Sequence, residues 1–267
     1  MMRLKTHLIS GAGNTFHVLF DEAAFFSSAA ISAQKRKEIS AQICQKNPAD
    51  GFIFLERGKN SSYRWHFYNN DGSDAEMCGN ATRCVGFYIK NILLMSQKSW
   101  QLETVAGLIE IQESESAAEL SQQFKVIMTA PRELSSSQGF FCDTGVPHLV
   151  LPVEELSTDA SVKEAARALR FHTEFQPRGT NVTYVELQAQ TNQLKAVSYE
   201  RGVEDFTAAC GTGAMAAALF NLRKRGASES LVEMPGGTLM MNLLNLQRPT
   251  MTGPAVLMGS YQYEFEI

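Results

Sequence analysis

One pattern occurs twice in this chain and restricts its fold more than any other feature. Cys78 and Cys210 stand 132 residues apart in a chain of 267, half its length. YRWHFY ends at Tyr68, ten residues before Cys78, and KAVSY ends at Tyr199, eleven residues before Cys210. Each cysteine is followed by Gly and a small polar residue, Gly79-Asn80 and Gly211-Thr212, and then by an apolar stretch, ATRCVGFYI or GAMAAALFNL. Strand, polar loop, Cys-Gly-polar and helix therefore follow in the same order both times. Spacing, order and half-chain offset agree together, which favours a duplicated domain over two unrelated strand-loop-helix units. Duplication predicts two halves about a pseudo-twofold axis, each with a cysteine at a helix N-terminus. The expected result is a cleft between the halves with a thiol on each wall.

The remaining pattern fits an α+β fold. Helical spacing covers 32–46, about 80–89, the segment SVKEAARALR behind an Asp159 N-cap, and 212–222. Strand signals lie at 3–9, 16–20, 51–55, 63–68, 107–111, 124–129, 181–187, 195–199, 231–234, 238–243 and 256–267. Strands outnumber helices and do not alternate regularly with them, against a doubly wound sheet. The halves are expected at 1–122 and 123–267. The polar stretch ESESAAELSQQ at 113–123 fits either a helix or a hairpin excursion.

Composition excludes several classes. With 44% hydrophobic residues the chain can bury a core without disulfide or metal staples. Lys and Arg number 24 against 28 Asp and Glu, a net charge of -4, so neither nucleic acid nor a membrane surface is an expected partner. No apolar run is long enough to span a bilayer, and the first residues, MMRLKTHLISGAGNTF, lack an apolar stretch of signal-peptide length. A cytoplasmic location is expected. Five cysteines are too few, and odd in number, for a disulfide framework. Cys44, Cys84 and Cys142 read as packing residues. Cys84 follows Cys78 by six, but no second pair or adjacent His supports a metal site, and none is expected.

A cysteine at a helix N-terminus lies in the positive end of the macrodipole, which predicts a pKa below the usual ~8.5. The same N–H groups can hold a carboxylate. A small amino acid held so that both sulfurs reach its α-carbon can lose a proton to a thiolate on one face and regain one from a thiol on the other. That inverts the carbon, and no sequence signature of pyridoxal phosphate, nicotinamide or metal accompanies it, so no cofactor is expected. Two rivals remain at this level. A Cys-His hydrolase needs one nucleophilic thiol only. A non-catalytic amino-acid-binding protein would hold ligand without exchanging its α-proton.

The chain resembles the diaminopimelate epimerase family almost from end to end. The matching blocks are GAGNTF (11–16), NNDGSDAEMCGNATRC (69–84), TGVPH (144–148), GTNV (179–182), YERGV (199–203), ACGTGA (209–214) and PGG (235–237). The resemblance implies two similar halves, each a mixed sheet curled round a central helix, with a C-terminal strand from about 258 to 267 returning to the first half. It implies Cys78 and Cys210 as the acid/base pair, with His148 and Glu200 moving protons to and from them. Gly79-Asn80 and Gly211-Thr212 match the helix starts that grip the reacting carboxylate. Asn14, Asn69, Asn181 and Arg201 match residues that bind the substrate's amino and carboxylate groups. The implied reaction turns LL-2,6-diaminopimelate into the meso form, for lysine and peptidoglycan precursors, and the implied assembly is a homodimer. Proline racemase-like enzymes are the nearest rival, with poorer agreement of blocks.

Three departures stand out. Ala81 replaces a Gly of the family's CGNGxRC, Val146 replaces the Asn of TGNPH, and 200–210 is one residue longer and lacks the Gly-Glu-Thr core. Loss of a polar contact relaxes selection. The expectation is an epimerase that also accepts other amino acids, such as glutamate.

Overall fold

Side chains that point alternately to the two faces of a strand set the layers of this protein. The computed structural model describes residues 2–21, 31–60, 62–75, 78–105, 107–114, 122–188 and 191–265. They form two units, one of 1–126 with 254–267 and one of 127–253. The first contains β1 (Met2–Gly11), β2 (Asn14–Phe20), α1 (Ala33–Lys46), β3 (Gly51–Arg57), β4 (Tyr63–Asn69), α2 (Gly79–Asn91), β5 (Ser99–Thr104), β6 (Gly107–Glu113) and β7 (Gln122–Ile127). The second contains β8 (Arg132–Leu134), β9 (Phe140–Asp143), β10 (Pro147–Val153), α3 (Ala160–Arg170), β11 (Asn181–Leu187), β12 (Gln193–Glu200), β13 (Asp205–Thr207), α4 (Gly211–Arg225), β14 (Glu229–Met234) and β15 (Gly237–Asn242). The last strand, β16 (Thr250–Phe265), starts in the second unit and enters the first at Pro254.

In the first unit the strands run in the order β1 to β7, and β16 bonds to both β7 and β1, closing the path. Phe52 and Phe54 of β3 pack with Ile39 and Ile43 of α1. Ile53 and Leu55, on the opposite face, pack with Ala81, Cys84, Val85 and Ile89 of α2. The outer helix α1 buries one stripe, whereas α2 buries ten of its thirteen residues. The second unit repeats the plan. Val182, Tyr184, Val197 and Tyr199 pack with Ala166 of α3, and α4 packs on the other face, against β9 to β12, β14 and β15.

Connectivity carries the duplication further than the cysteine motif does. The strands β2 and β3 pair in parallel across α1, as β10 and β11 do across α3. The pairs β4–β5 and β12–β14 are parallel across α2 and α4. A parallel pair needs such a crossover, so each half holds two helices on opposite faces of its sheet.

Helix positions agree with the spacing, and the caps explain their starts. Ser32 accepts from the Lys35 N–H, and Asp159 from those of Ser161 and Val162. Five strands lie outside the segments expected: β5, β8, β9 apart from its Cys142, β10 and β13. Pro147 opens β10, and Pro152 lies beyond the Pro147–Val150 stretch paired with β9, in register with Val185 of β11. The unit boundary falls at 126/127 rather than 122/123, and the returning segment starts at Pro254 rather than about 258. Most of the ambiguous 113–123 stretch, 115–121, lies outside the described residues. Among the described residues no helix is long and apolar enough to cross a membrane.

Gly86 shows how closely α2 is held. A Cβ there would come within 2.7 Å of Ile111 Cγ2 and 2.8 Å of Phe124 Cδ1. Gly86→Ala, despite its better helix propensity, is expected to destabilise the first unit by about 1–3 kcal/mol, read as a lower thermal midpoint.

Candidate active site

In the first unit a hairpin meets a helix start. Gly11 pairs with Asn14 across a two-residue turn in which Ala12 and Gly13 have φ of 57° and 93°. A Cβ on Gly11 would lie 2.7 Å from the Asn80 carbonyl oxygen and 3.0 Å from Cys84 Sγ. Its absence lets the hairpin seat on the first turn of α2, where Asn80 Nδ2 donates to Asn14 Oδ1. Arg83 Nη2 donates to Asn80 Oδ1 at 2.9 Å. Asp50 Oδ2 accepts from Thr15 N at 2.7 Å and Asn14 Nδ2 at 3.4 Å. Cys78 is the half-buried N-cap of α2, with extended backbone (φ -133°, ψ 120°). Asn69 is exposed and donates to Ser73 Oγ at 2.9 Å, closing the loop before Cys78.

In the second unit, strand alternation turns Asn181 and Thr183 of β11, and Ser198 and Glu200 of β12, away from α3 toward α4. Parallel register sets His148 beside Asn181. Asn181 Oδ1 accepts the Arg201 N–H at 2.7 Å, so its Nδ2 is the donor to His148 Nε2 at 3.2 Å. That leaves the imidazole proton on Nδ1, which donates to Thr183 Oγ1 at 2.9 Å. Thr183 in turn meets Ser198 Oγ at 2.9 Å. Thr212 Oγ1 lies 3.0 Å from His148 Nε2 and 3.4 Å from Cys210 Sγ, standing between them.

Cys210 is the N-cap of α4, and its sulfur accepts the Gly213 N–H at 3.4 Å. Glu200 accepts from Thr207 Oγ1 and shares a hydrogen bond with Cys210. The Arg201 side chain donates to the Arg178 carbonyl at 2.9 Å. Thus Cys210, Glu200, His148, Asn181, Arg201 and Thr212 are brought together in one unit, and Asn14, Asn80 and the N-cap Cys78 are grouped in the other.

The electrostatics of Cys210 correct one expectation. A helix N-terminus was expected to lower its pKa, yet burial first, and then the Glu200 charge, push the thiol up. A macrodipole contributes about 0.3–1 kcal/mol at exposed sites and up to ~2 when partly buried, whereas desolvating an ion costs several. With Cys210 only 5% exposed, burial prevails and the group rests as a thiol. Burial also raises Glu200, partly offset by the Thr207 and Cys210 hydrogen bonds. It lowers His148 to about 3, so the imidazole is neutral. Cys84 is fully buried, its sulfur facing the Ile9 carbonyl, and Cys44 and Cys142 are buried too.

The departures have distinct surroundings. Ala81 is fully buried in the first unit's core, but a Cβ at its counterpart Gly213 would fall 2.1 Å from Ser198 Oγ. Val146 is half-buried, and its carbonyl accepts the Thr144 N–H at 3.1 Å. The lengthened loop is held by Glu204, which has φ of 57° and an ion pair to Arg170 at 3.0 Å. Sequence reasoning missed Thr207, Thr183, Ser198, Asp50 and Arg83. Only Arg83 carried a signal, as a charged residue within a helix otherwise apolar enough to be buried.

Two outcomes are expected. Glu200→Gln removes the negative neighbour, so Cys210 should titrate nearer its ordinary value and alkylate faster at pH 8, as read by peptide mass spectrometry. For His148, the unfolded chain takes a proton below about 6.5, while the folded chain does so only near 3. Stability is therefore lost as pH falls through that window, by at most about 1.4 kcal/mol per pH unit from this group. Glu200 acts in the opposite sense, so the measured quantity is the difference in slope, and His148→Gln should flatten the loss.

Comparison with known proteins places the chain in a family. The family model for diaminopimelate epimerase matches residues 9–132 and 140–258. A diaminopimelate epimerase of Aquifex aeolicus is 35% identical over 234 residues, covering 81% of this chain and 80% of the relative. One from Hydrogenobaculum sp. is 33% identical over 278 residues, covering 95% and 97%. Among solved structures, a PhzF-family phenazine biosynthesis protein of Bacillus anthracis has a TM-score of 0.76 at 13% identity, covering 99% of this chain and 100% of that one. A probable proline racemase of Agrobacterium radiobacter has 0.66 at 14%, covering 98% and 93%; both share the fold. Matched along most of its length and through both cysteine motifs, this chain belongs to the diaminopimelate epimerase family, a family of isomerases.

Proposed function

We propose that this chain epimerises LL-2,6-diaminopimelate to meso-diaminopimelate by proton transfer between the substrate's α-carbon and two cysteines. The observation that carries the reading is the placement of Cys210, buried at the N-cap of α4 and hydrogen-bonded to Glu200, where burial favours the thiol form. A thiol in that state is an acid. Cys78 acts as thiolate in this direction: its sulfur takes the α-proton and becomes a thiol. Cys210 gives its S–H proton to the opposite face of the carbon and becomes a thiolate. Before the next turnover the Cys78 thiol gives its proton to solvent and the Cys210 thiolate takes one up from solvent, relayed by Glu200 and by His148, whose Nε2 carries no proton at rest and reaches Cys210 through Thr212. N–H groups of the helix starts at 79–80 and 211–212 hold the reacting carboxylate and stabilise the charge that develops on it.

The same reading makes Asn14, Asn69, Asn181 and Arg201 substrate ligands, places the protein in the cytoplasm and makes it a homodimer. Val146 and the loop at 203–208 loosen selection, so glutamate is a slow second substrate.

Proton exchange tests this directly. Freshly reduced protein in D2O should place deuterium at the α-carbon of LL-diaminopimelate and invert it. Cys78→Ala and Cys210→Ala should each lower inversion by about 10²- to 10⁴-fold. Retained activity in either variant would instead favour a one-thiol hydrolase. Binding without exchange would favour a binding protein, and a glutamate rate equal to the blank would remove the relaxed specificity.

A further inference from the structure

Arg83 is fully buried, in the middle of a helix whose neighbouring side chains form the first unit's apolar core. Counting from the two cysteines, its counterpart in α4 is Met215, also fully buried. The duplicated position therefore accepts an unbranched apolar side chain, and packing alone does not call for a guanidinium. The charge has another use, visible in the hydrogen bonds that begin at it.

Arg83 donates to Asn80 Oδ1 and, through Nε, to the Pro254 carbonyl at 3.3 Å. Guanidinium can only donate. Asn80 must therefore turn its oxygen toward Arg83 and its Nδ2 toward Asn14. Asn14 accepts with Oδ1, which directs its own Nδ2 toward Asp50. Asp50, held by the Thr15 N–H, can only accept. The chain Arg83–Asn80–Asn14–Asp50 thus runs from a pure donor to a pure acceptor, and neither amide can flip. The second unit solves the equivalent problem without a cation, by linking Thr212 to His148 and His148 to Asn181.

We infer that Arg83 is a positioning residue that fixes the amide orientation of Asn80 and, through it, of Asn14, so that both present N–H donors of set direction to an amino-acid carboxylate. This rests on the substrate roles proposed above for Asn14 and for the helix start at 79–80. The positive charge also sits near enough to Cys78 to interact with its sulfur.

The test uses Arg83→Met, which copies the α4 residue, and Arg83→Lys, which keeps a donor-only cation. The side-chain amides of Asn80 and Asn14 should each give one pair of ¹H–¹⁵N resonances in the parent. They should double or broaden in Arg83→Met and return to one form in Arg83→Lys. This readout requires no turnover, so it stands even if the diaminopimelate assay fails. With diaminopimelate, Arg83→Met should raise KM by about tenfold, the effect of one lost charge-assisted contact, with a smaller change in kcat. Should that variant not fold, Arg83→Gln, neutral and of similar length, should show the same doubled resonances. Unchanged resonances in a folded Met or Gln variant, or a KM of Arg83→Met equal to that of a parent that turns over diaminopimelate, would overturn the assignment.

Discussion

The structure depends on sinking two helices so far into their sheets that even their first turns are buried. Gly79 to Ala81 are buried in α2, as are Gly211, Gly213 and Ala214 in α4. A helix start placed there brings unpaired N–H groups, which need partners. In α4 the Cys210 sulfur supplies one of them. Chemistry and folding draw on the same groups at these positions, since the donors left over are those a substrate carboxylate can use. Small residues make the approach possible. Gly11 admits the hairpin to α2, and Gly213 admits Ser198 to α4.

Duplication supplied both halves with one plan, and each has since been completed with different chemistry. The polar residue two after the cysteine is Asn80 in one half and Thr212 in the other. Asn80 is bonded to Asn14 at the start of β2, and Thr212 to His148 at the start of β10. These partners occupy matching places, each opening the strand that precedes an outer helix. One half therefore ends in an amide chain with a buried cation behind it. The other ends in a titratable chain of hydroxyls, imidazole and carboxylate. Two-base inversion asks for unequal partners at any moment, one acid and one base, and unequal surroundings for matching cysteines suit that need.

Burial outweighs the helix dipole at Cys210, and the facing Glu200 charge adds to its effect. A carboxylate beside a thiol holds the proton on one of the two, and hydrogen bonding between them eases its passage. His148, kept neutral by burial, accepts through Nε2 without adding charge to the site. The result is a second half that holds a proton between Cys210 and Glu200 beside an uncharged imidazole.

Much of this protein was legible in the sequence because local patterns carried it. The repeat at Cys78 and Cys210, the cap at Asp159 and the alternation in β11 and β12 each depend on residues close in the chain. They determined the α+β class, the two central helices and the cysteines at their N-caps. Tertiary structure alone decided the rest. Arg83 meets Asn80 within one helix turn, but its meaning depends on Asn14 and Asp50, brought in by a hairpin and a parallel strand. Thr183, Ser198 and Thr207 acquire roles only through strand register, which no single segment encodes. The pKa of Cys210 was misjudged for the same reason: the dipole is a property of its own helix, whereas desolvation and the Glu200 charge come from the strands folded over it.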